Sequence, residues 1–235
     1  MIGIDNQGDV RIVTLDRADR RNAITLAGLE ALETAVSDPG APVICLRGAG
    51  EAFCAGADLG TVGTLATEGN VEPFVRQGQR TADAIENSPA TVIAGIDGAA
   101  RGGGIELALA CDIRVATPEA TFGEPGVTFG LFGSWGGTVR LPEIVGMGDA
   151  LDFSLSGRVL DSEEALRIGL ISRVIDDPLA VAKEVADNDP AALEHIKARI
   201  RDRSGKEIKE TAEIESFRTL VETHAEKLRE FGDSP

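Results

Sequence analysis

The sequence predicts a layered α/β core followed by a helical tail, and three observations carry that prediction. Short β-branched runs recur at Val10–Leu15, 43–47, Thr91–Ile96 and Ile113–Ala116, each of strand length. Helical periodicity with Gly and Pro punctuation fills the intervals between them. Beyond about Ser162 the β signal fades, apart from residues 170–175, and residues 190–231 read as helix with charged residues between the apolar ones. A core over residues 1–180 and a helical region over 181–235 are therefore expected.

After the first strand, residues 25–36 place Leu26, Leu29, Leu32 and Val36 at helical intervals, and Asp38-Pro39-Gly40 halts that helix before the strand at Val43. The next segment, Ala52-Phe53-Cys54-Ala55-Gly56-Ala57-Asp58-Leu59, holds small residues where the backbone must turn or meet something closely. Small side chains leave amides accessible. A second segment, Asp97-Gly98-Ala99-Ala100-Arg101-Gly102-Gly103-Gly104-Ile105-Glu106, joins the Thr91 strand to an apolar helix over 105–111. In the tail, Phe217, Val221, His224, Leu228 and Phe231 recur at intervals of four and three, the seam of a helix packed on another helix, within the subunit or between subunits.

Composition narrows the function classes. The chain has 235 residues, 43% hydrophobic and 26% charged, and a chain of this size buries roughly 70% of its unfolded surface without needing disulfides or a structural metal. No apolar run approaches the ~18 residues of a membrane span, and the N-terminal stretch has neither the basic end nor the apolar centre of a signal peptide. A cytoplasmic protein is expected. Cys45, Cys54 and Cys111 lack the paired spacings of zinc or redox sites and read as buried free thiols. The 39 acidic against 23 basic residues give a net charge of −16, which repels nucleic acid and anionic membranes.

An acidic surface with only five Lys also suits a salt-rich, halophilic setting, where screening shortens and self-repulsion weakens. On that expectation the unfolding midpoint rises between low and molar KCl, and an unchanged midpoint in a thermal scan would remove it.

Two features carry chemistry. Three glycines open the helix at Gly103, and the first amides of a helix have no internal partners and sit at the positive end of its dipole. They can hold an oxyanion. Glu106 stands within the first turn, so a base can lie beside that donor, although a plain Gly-rich turn with Glu106 as a cap satisfies the same spacing. His195 and His224 are the only histidines, and neither lies near a candidate nucleophile, which argues against a Ser-His or Cys-His hydrolase. No metal cluster is visible.

With these segments in order, the sequence resembles the crotonase superfamily, the enoyl-CoA hydratases and isomerases. The resemblance runs through Leu15-Asp16-Arg17, Arg21-Asn22-Ala23-Ile24, the segment 52–59, and Gly102 through Asp112. It continues through Phe122-Gly123-Glu124-Pro125, Gly136-Gly137-Thr138-Val139-Arg140-Leu141-Pro142, Gly157-Arg158 and residues 165–174. It implies a spiral of ββα units with a C-terminal helical region that builds trimers, often paired into hexamers. The implied substrate is an acyl-CoA thioester, with coenzyme A arriving as part of it and no separate cofactor.

Position by position, the resemblance puts the two oxyanion-hole amides on Ala57 and Gly103, and the water-activating glutamate on Glu106. The second hydratase glutamate falls on Gly126, a departure that puts ordinary hydration in doubt. Glu124, two residues earlier, is the candidate substitute, because residues i and i+2 of an extended segment face one way. Ser134 stands where related isomerases and dehalogenases carry a carboxylate, and Phe129, Phe132 and Trp135 suggest an apolar acyl pocket or core packing. Coenzyme A contacts are implied at Arg17, Arg20, Ala55, Ala57, Asp58 and Leu59, with Arg21 a further candidate, and at His224 and Lys227 from a neighbouring copy.

The expected activity is thus an enoyl-CoA hydratase-like lyase in acyl-CoA metabolism. An isomerase using Glu106 alone, or an acyl-CoA binder that has lost its acid, are the alternatives.

Overall fold

The computed structural model describes residues 1–232, and the side chains of residues 1–230. Phe231 of the expected seam thus has a side chain outside the described residues. The chain divides into two units, residues 1–186 and the helical remainder from Asp187.

In the first unit, β1 (Ile2–Gln7) and β2 (Val10–Leu15) form an antiparallel hairpin turned at Gly8, whose φ of +61° suits a residue without a side chain. Strands β3 (Val43–Gly48), β5 (Thr91–Ile96), β7 (Ile113–Ala116) and β10 (Arg173–Val174) continue that sheet in parallel from β2. A second sheet holds β4 (Ala52–Cys54), β6 (Ala99–Arg101) and β8 (Thr121–Gly123) in parallel, with β9 (Val159–Asp161) antiparallel at its edge.

Eight helices complete this unit: α1 (Leu26–Ser37), α2 (Leu59–Glu68), α3 (Val71–Glu86), α4 (Gly103–Ala110), α5 (Gly137–Val145), α6 (Met147–Ser156), α7 (Ser162–Arg167) and α8 (Pro178–Ala186). A long strand in the first sheet, a short strand in the second and then a helix recur as β3-β4-α2 and β5-β6-α4. After β7 and β8 the third turn of the spiral closes with a 3-10 segment at Pro125–Phe129. Each repeat therefore ends a short second-sheet strand at a turn into a helix. Those turns build the site.

The central strands were legible because they are covered on both faces, so their sequences run as continuous apolar stretches; every residue of β5 is buried. By contrast, β1 is a largely exposed edge strand with the polar sequence IGIDNQ, and β4, β6, β8 and β9 have three residues each, too few to show a period. The strand signal over 170–175 yields only two paired residues. Thr25 caps α1 by accepting a hydrogen bond from Gly28 N, as its position before the periodic run requires.

A boundary at residue 180 would cut through α8, whose Val181 and Ala182 are buried in the first unit. No helix among the described residues is long and apolar enough to cross a membrane.

The second unit contains α9 (Pro190–Arg201), α10 (Lys206–Thr223) and α11 (Ala225–Gly232). The expected single seam is interrupted, because the helix ends at Thr223 with His224 in a non-helical cap conformation. Phe217 and Val221 thus belong to one helix and Leu228 to another. Between α9 and α10 lies a groove of about 710 Å³ that includes Ile196, Ile200, Ile214 and Phe217. Ile200 is 76% and Phe217 70% exposed in the single chain.

Candidate active site

The segment after β4 is pinned by its neighbours. Ala55 N donates to Arg21 O (2.9 Å), Ile24 N donates to Gly56 O (2.8 Å) and Asp58 N donates to Ile24 O (3.0 Å). In this parallel bridge between Ile24 and Ala57, the neighbours of Ala57 make the bonds and its own N–H turns away from them. Gly56, at φ +89°, makes the bend. Asp58 then caps α2, its Oδ1 accepting from Thr61 N (3.0 Å). That bond and the Arg17 guanidinium hold its carboxyl below the usual range.

The segment after β6 meets this one backbone to backbone. A methyl group on Gly56 would lie 2.8 Å from Arg101 O and 3.0 Å from Gly103 N, and one on Gly104 would strike Cys54 O. Only glycine permits such an approach. Gly102, at φ +48°, turns the chain into α4, and Gly103 becomes the first helical residue. Among the described residues, the Ala57 and Gly103 N–H groups have no hydrogen-bond acceptor, and both residues line one cavity of about 350 Å³.

Glu106, on the same first turn of α4, is 2% exposed. Its Oε1 accepts from Trp135 N and Gly137 N, both at 2.7 Å. Burial pushes its carboxyl up, while those amides and the nearby Arg140 pull it part of the way back. The clamp needs glycine on both sides, since a methyl group at Gly133 or Gly137 would strike the carboxyl.

Arg140, on α5, is itself held by Asp83 (2.7 Å) and Glu86 (2.6 Å) of α3, and its Nη1 donates to Trp135 O (3.3 Å). The clamp and its support went unassigned in the sequence. Residues 134–137 and 140 are some thirty positions from Glu106, and backbone donors leave no trace in side-chain identity.

Glu124, between β8 and the 3-10 segment, lines the same cavity and is 9% exposed. Its carboxyl has no hydrogen-bond partner among the described residues. Burial first, and the charge of Glu106 second, push it up to about 8.

This shift has a thermodynamic consequence. Between the unfolded value of 4.5 and about 8 the folded state binds the extra proton, so stability falls as pH rises through that window. Glu124→Gln is expected to flatten that decline, by on the order of a few kcal/mol at pH 9 relative to pH 5. Denaturant unfolding at the two pH values checks it, and parallel profiles for variant and parent would refute it.

Gly126 is the second residue of the 3-10 segment, so 124–126 is not the extended stretch expected, and its carbonyl accepts from Leu131 N (2.8 Å). A side chain there would meet Leu131 O at 2.9 Å and Phe132 Cα at 3.2 Å, so the 130–133 loop occupies the space that a side chain at 126 would need. Gly126→Glu is therefore expected to lose about 1–3 kcal/mol of stability through overpacking and to gain no activity. A stable variant with raised kcat/KM would contradict this.

Trp135, 2% exposed, stacks edge-on to Phe74 at a centroid distance of 5.7 Å, and its ring lies against Gly78 and Gly103. Phe129 and Phe132 line the cavity and remain 66% and 74% exposed.

Residues 5–232 match the profile of the family described as enoyl-CoA hydratase/isomerase. The chain belongs to that family. It is 35% identical over 209 residues to a short-chain-enoyl-CoA hydratase of Clostridium acetobutylicum, covering 84% of this chain and 79% of that one. It is 37% identical over 211 residues to the mitochondrial methylglutaconyl-CoA hydratase of Mus musculus, covering 83% and 67%. Among solved structures, the enoyl-CoA hydratase of Bacillus anthracis superposes with a TM-score of 0.90 at 32% identity, over 99% of this chain and 96% of that one. This family member is accordingly an acyl-CoA enzyme of the hydratase/isomerase type with the crotonase fold.

The expected coenzyme A residues of this family member are placed unevenly. Arg17 Nη1 is bonded to Asp58 Oδ2 (2.7 Å) and Ala23 O (3.1 Å), so it fastens the 17–24 turn to the α2 cap. Arg20 and Arg21 stay exposed, and Arg21 adjoins Ala55 through its carbonyl. Ala55, Ala57 and Leu59 line the cavity, and Leu59 is 69% exposed.

His224 and Lys227 belong to the second unit. There His224 Nε2 lies 3.2 Å from Asp189, the N-cap of α9, and Lys227 is exposed. The three thiols are buried; burial raises Cys45 to about 11 and Cys54 to about 12, which keeps both protonated and unreactive.

Proposed function

We propose that this chain adds water across the double bond of a 2-enoyl-CoA thioester, with Glu106 as base and Glu124 as acid. One observation carries the reading: two buried carboxyl groups share a cavity but are provisioned oppositely. Glu106 receives two backbone N–H bonds, which favour its charged form, and Glu124 receives none and is held neutral through pH 7. Two neighbouring carboxyls whose environments separate their proton affinities are the arrangement that divides base from acid.

In this reading the thioester oxygen accepts the Ala57 and Gly103 N–H groups. Glu106 takes a proton from water as its oxygen bonds to C3, and the π electrons move through C2 onto the thioester oxygen. The enolate then collapses as Glu124 delivers its proton to C2. Glu106 ends protonated and Glu124 ionised, and one proton passed back between them through solvent resets the pair. The amides lower the barrier because they bind the enolate more strongly than the neutral thioester. Arg20 and Arg21 are the proposed contacts for the coenzyme phosphates, with His224 and Lys227 supplied by another copy in a trimer or hexamer.

Double-bond migration is the second reading, favoured by the missing side chain at Gly126. A single carboxylate, Glu106, then moves a proton between C4 and C2.

Incubating the protein in molar salt with 2-enoyl-CoA and 3-enoyl-CoA, while following the conjugated thioester absorbance, separates the two. Hydration consumes the 2-enoyl signal and is lost in Glu124→Gln. Migration generates that signal from the 3-enoyl ester and survives Glu124→Gln. Tight binding without turnover of either ester would sink both.

A further inference from the structure

Glu124 faces a second cavity as well as the first. This space, about 290 Å³, lies among the 3-10 segment, α5 and α6. Its lining shares Glu124, Leu131, Phe132 and Gly133 with the thioester cavity, so those four residues form a common wall. Away from the shared wall it is apolar, with Val127, Leu141, Met147, Leu151 and Leu155 prominent, and no Lys, Arg or His lines it.

Helix α6 explains the wall. Ala150 and Phe153 turn into the core, while Met147, Leu151 and Leu155 recur every four residues on another face and are 65%, 50% and 69% exposed. An apolar stripe beside a catalytic carboxyl has little reason to be open to water.

Beside Gly103 the thioester cavity is walled by Trp135, whose ring already fills the space between Gly78 and Gly103. A chain longer than the reacting carbons needs another way on.

We propose that the second cavity receives the distal hydrocarbon of a medium- or long-chain acyl group, which passes between Glu124 and Phe132 from a C2–C3 bond held in the first cavity. The inference rests on the acyl-CoA reading above and adds the substrate's chain length. Phosphate or adenine would find no cation in this wall, whereas an alkyl chain replaces water against aliphatic side chains at no polar cost. Burial pushes the Glu124 carboxyl up to about 8, so near neutral pH the passing chain meets it chiefly in the uncharged form.

The test measures, by calorimetry, the Kd of saturated acyl-CoAs of four, eight, twelve and sixteen carbons, for the full chain and for Ser154→Phe and Leu151→Trp, which fill the cavity from α6. Saturated esters bind without reacting, so this outcome is independent of turnover; hydration of the matching 2-enoyl esters is followed separately and judges the reaction. In the parent, affinity is expected to rise at least about tenfold from four to twelve carbons. Each filled variant should erase that gain while holding the four-carbon Kd within about twofold.

Equal weakening at every length, or an unchanged length dependence in both variants, would overturn the proposal. So would Leu151→Asp dissociating an oligomer by size-exclusion chromatography while leaving the length dependence intact, since the stripe would then be a contact between copies. If one filled variant fails to fold, the other decides.

Discussion

Glu106→Gln is expected to lower kcat by about 10² to 10⁴ with KM changed by no more than a few-fold, the usual worth of a positioned general base. The geometry makes this a clean substitution. A glutamine oxygen can still accept from Trp135 N and Gly137 N, both now 2.7 Å from Oε1, so the 134–137 loop keeps its anchor. What disappears is the basic lone pair and the negative charge.

The lost charge has a second signature. Glu106 contributes to the raised pKa of Glu124, behind burial, so the variant's Glu124 should titrate lower, though still above the ordinary carboxylate value. Steady-state kinetics and carboxyl titration by NMR check the two halves independently. A variant that retains turnover removes Glu106 as base, and one that unfolds shows that the charge serves the fold.

The second large effect is at Gly103, where proline and alanine must be compared. Either residue adds a Cβ that falls on the Trp135 ring, and Trp135 belongs to the loop that clamps Glu106. Both variants should therefore lose activity through displacement of that loop. Proline also deletes the N–H, and it is sterically acceptable at the first position of a helix. The further loss from alanine to proline measures removal of the N–H together with the Cδ that takes its place, expected at about 10²- to 10³-fold in kcat or more. Equal activities of the two variants, with matched unfolding midpoints, would mean that the Gly103 amide does not carry the charge.

The site was partly legible because some of its requirements are written locally. Gly102, Gly103 and Glu106 lie within five positions on one strand-to-helix turn, and the small residues 55–57 announce an exposed backbone. Arg17 shows the limit of such reading. As a cation near the expected coenzyme path it suggested phosphate binding, and the fold adds a pairing with Asp58, forty-one residues away, that sequence distance conceals. His224 likewise lies 3.2 Å from Asp189, thirty-five residues away. Glu124 moved the other way: its lack of a hydrogen-bond partner, on which its proposed role as acid rests, depends on what the fold leaves beside it.

By itself the sequence determined the alternation of buried parallel strands and helices, the Gly-rich turns and the acidic surface, because each is a short-range pattern of side-chain size, polarity or charge. Only the tertiary structure decided that the turns after β4 and β6 touch backbone to backbone, that residues 134–137 hold Glu106, and that the 130–133 loop occupies the space beside Gly126. Those contacts join segments tens of residues apart through main-chain atoms. Main-chain atoms are the same in every residue but proline, so no local pattern of side chains could specify where they meet.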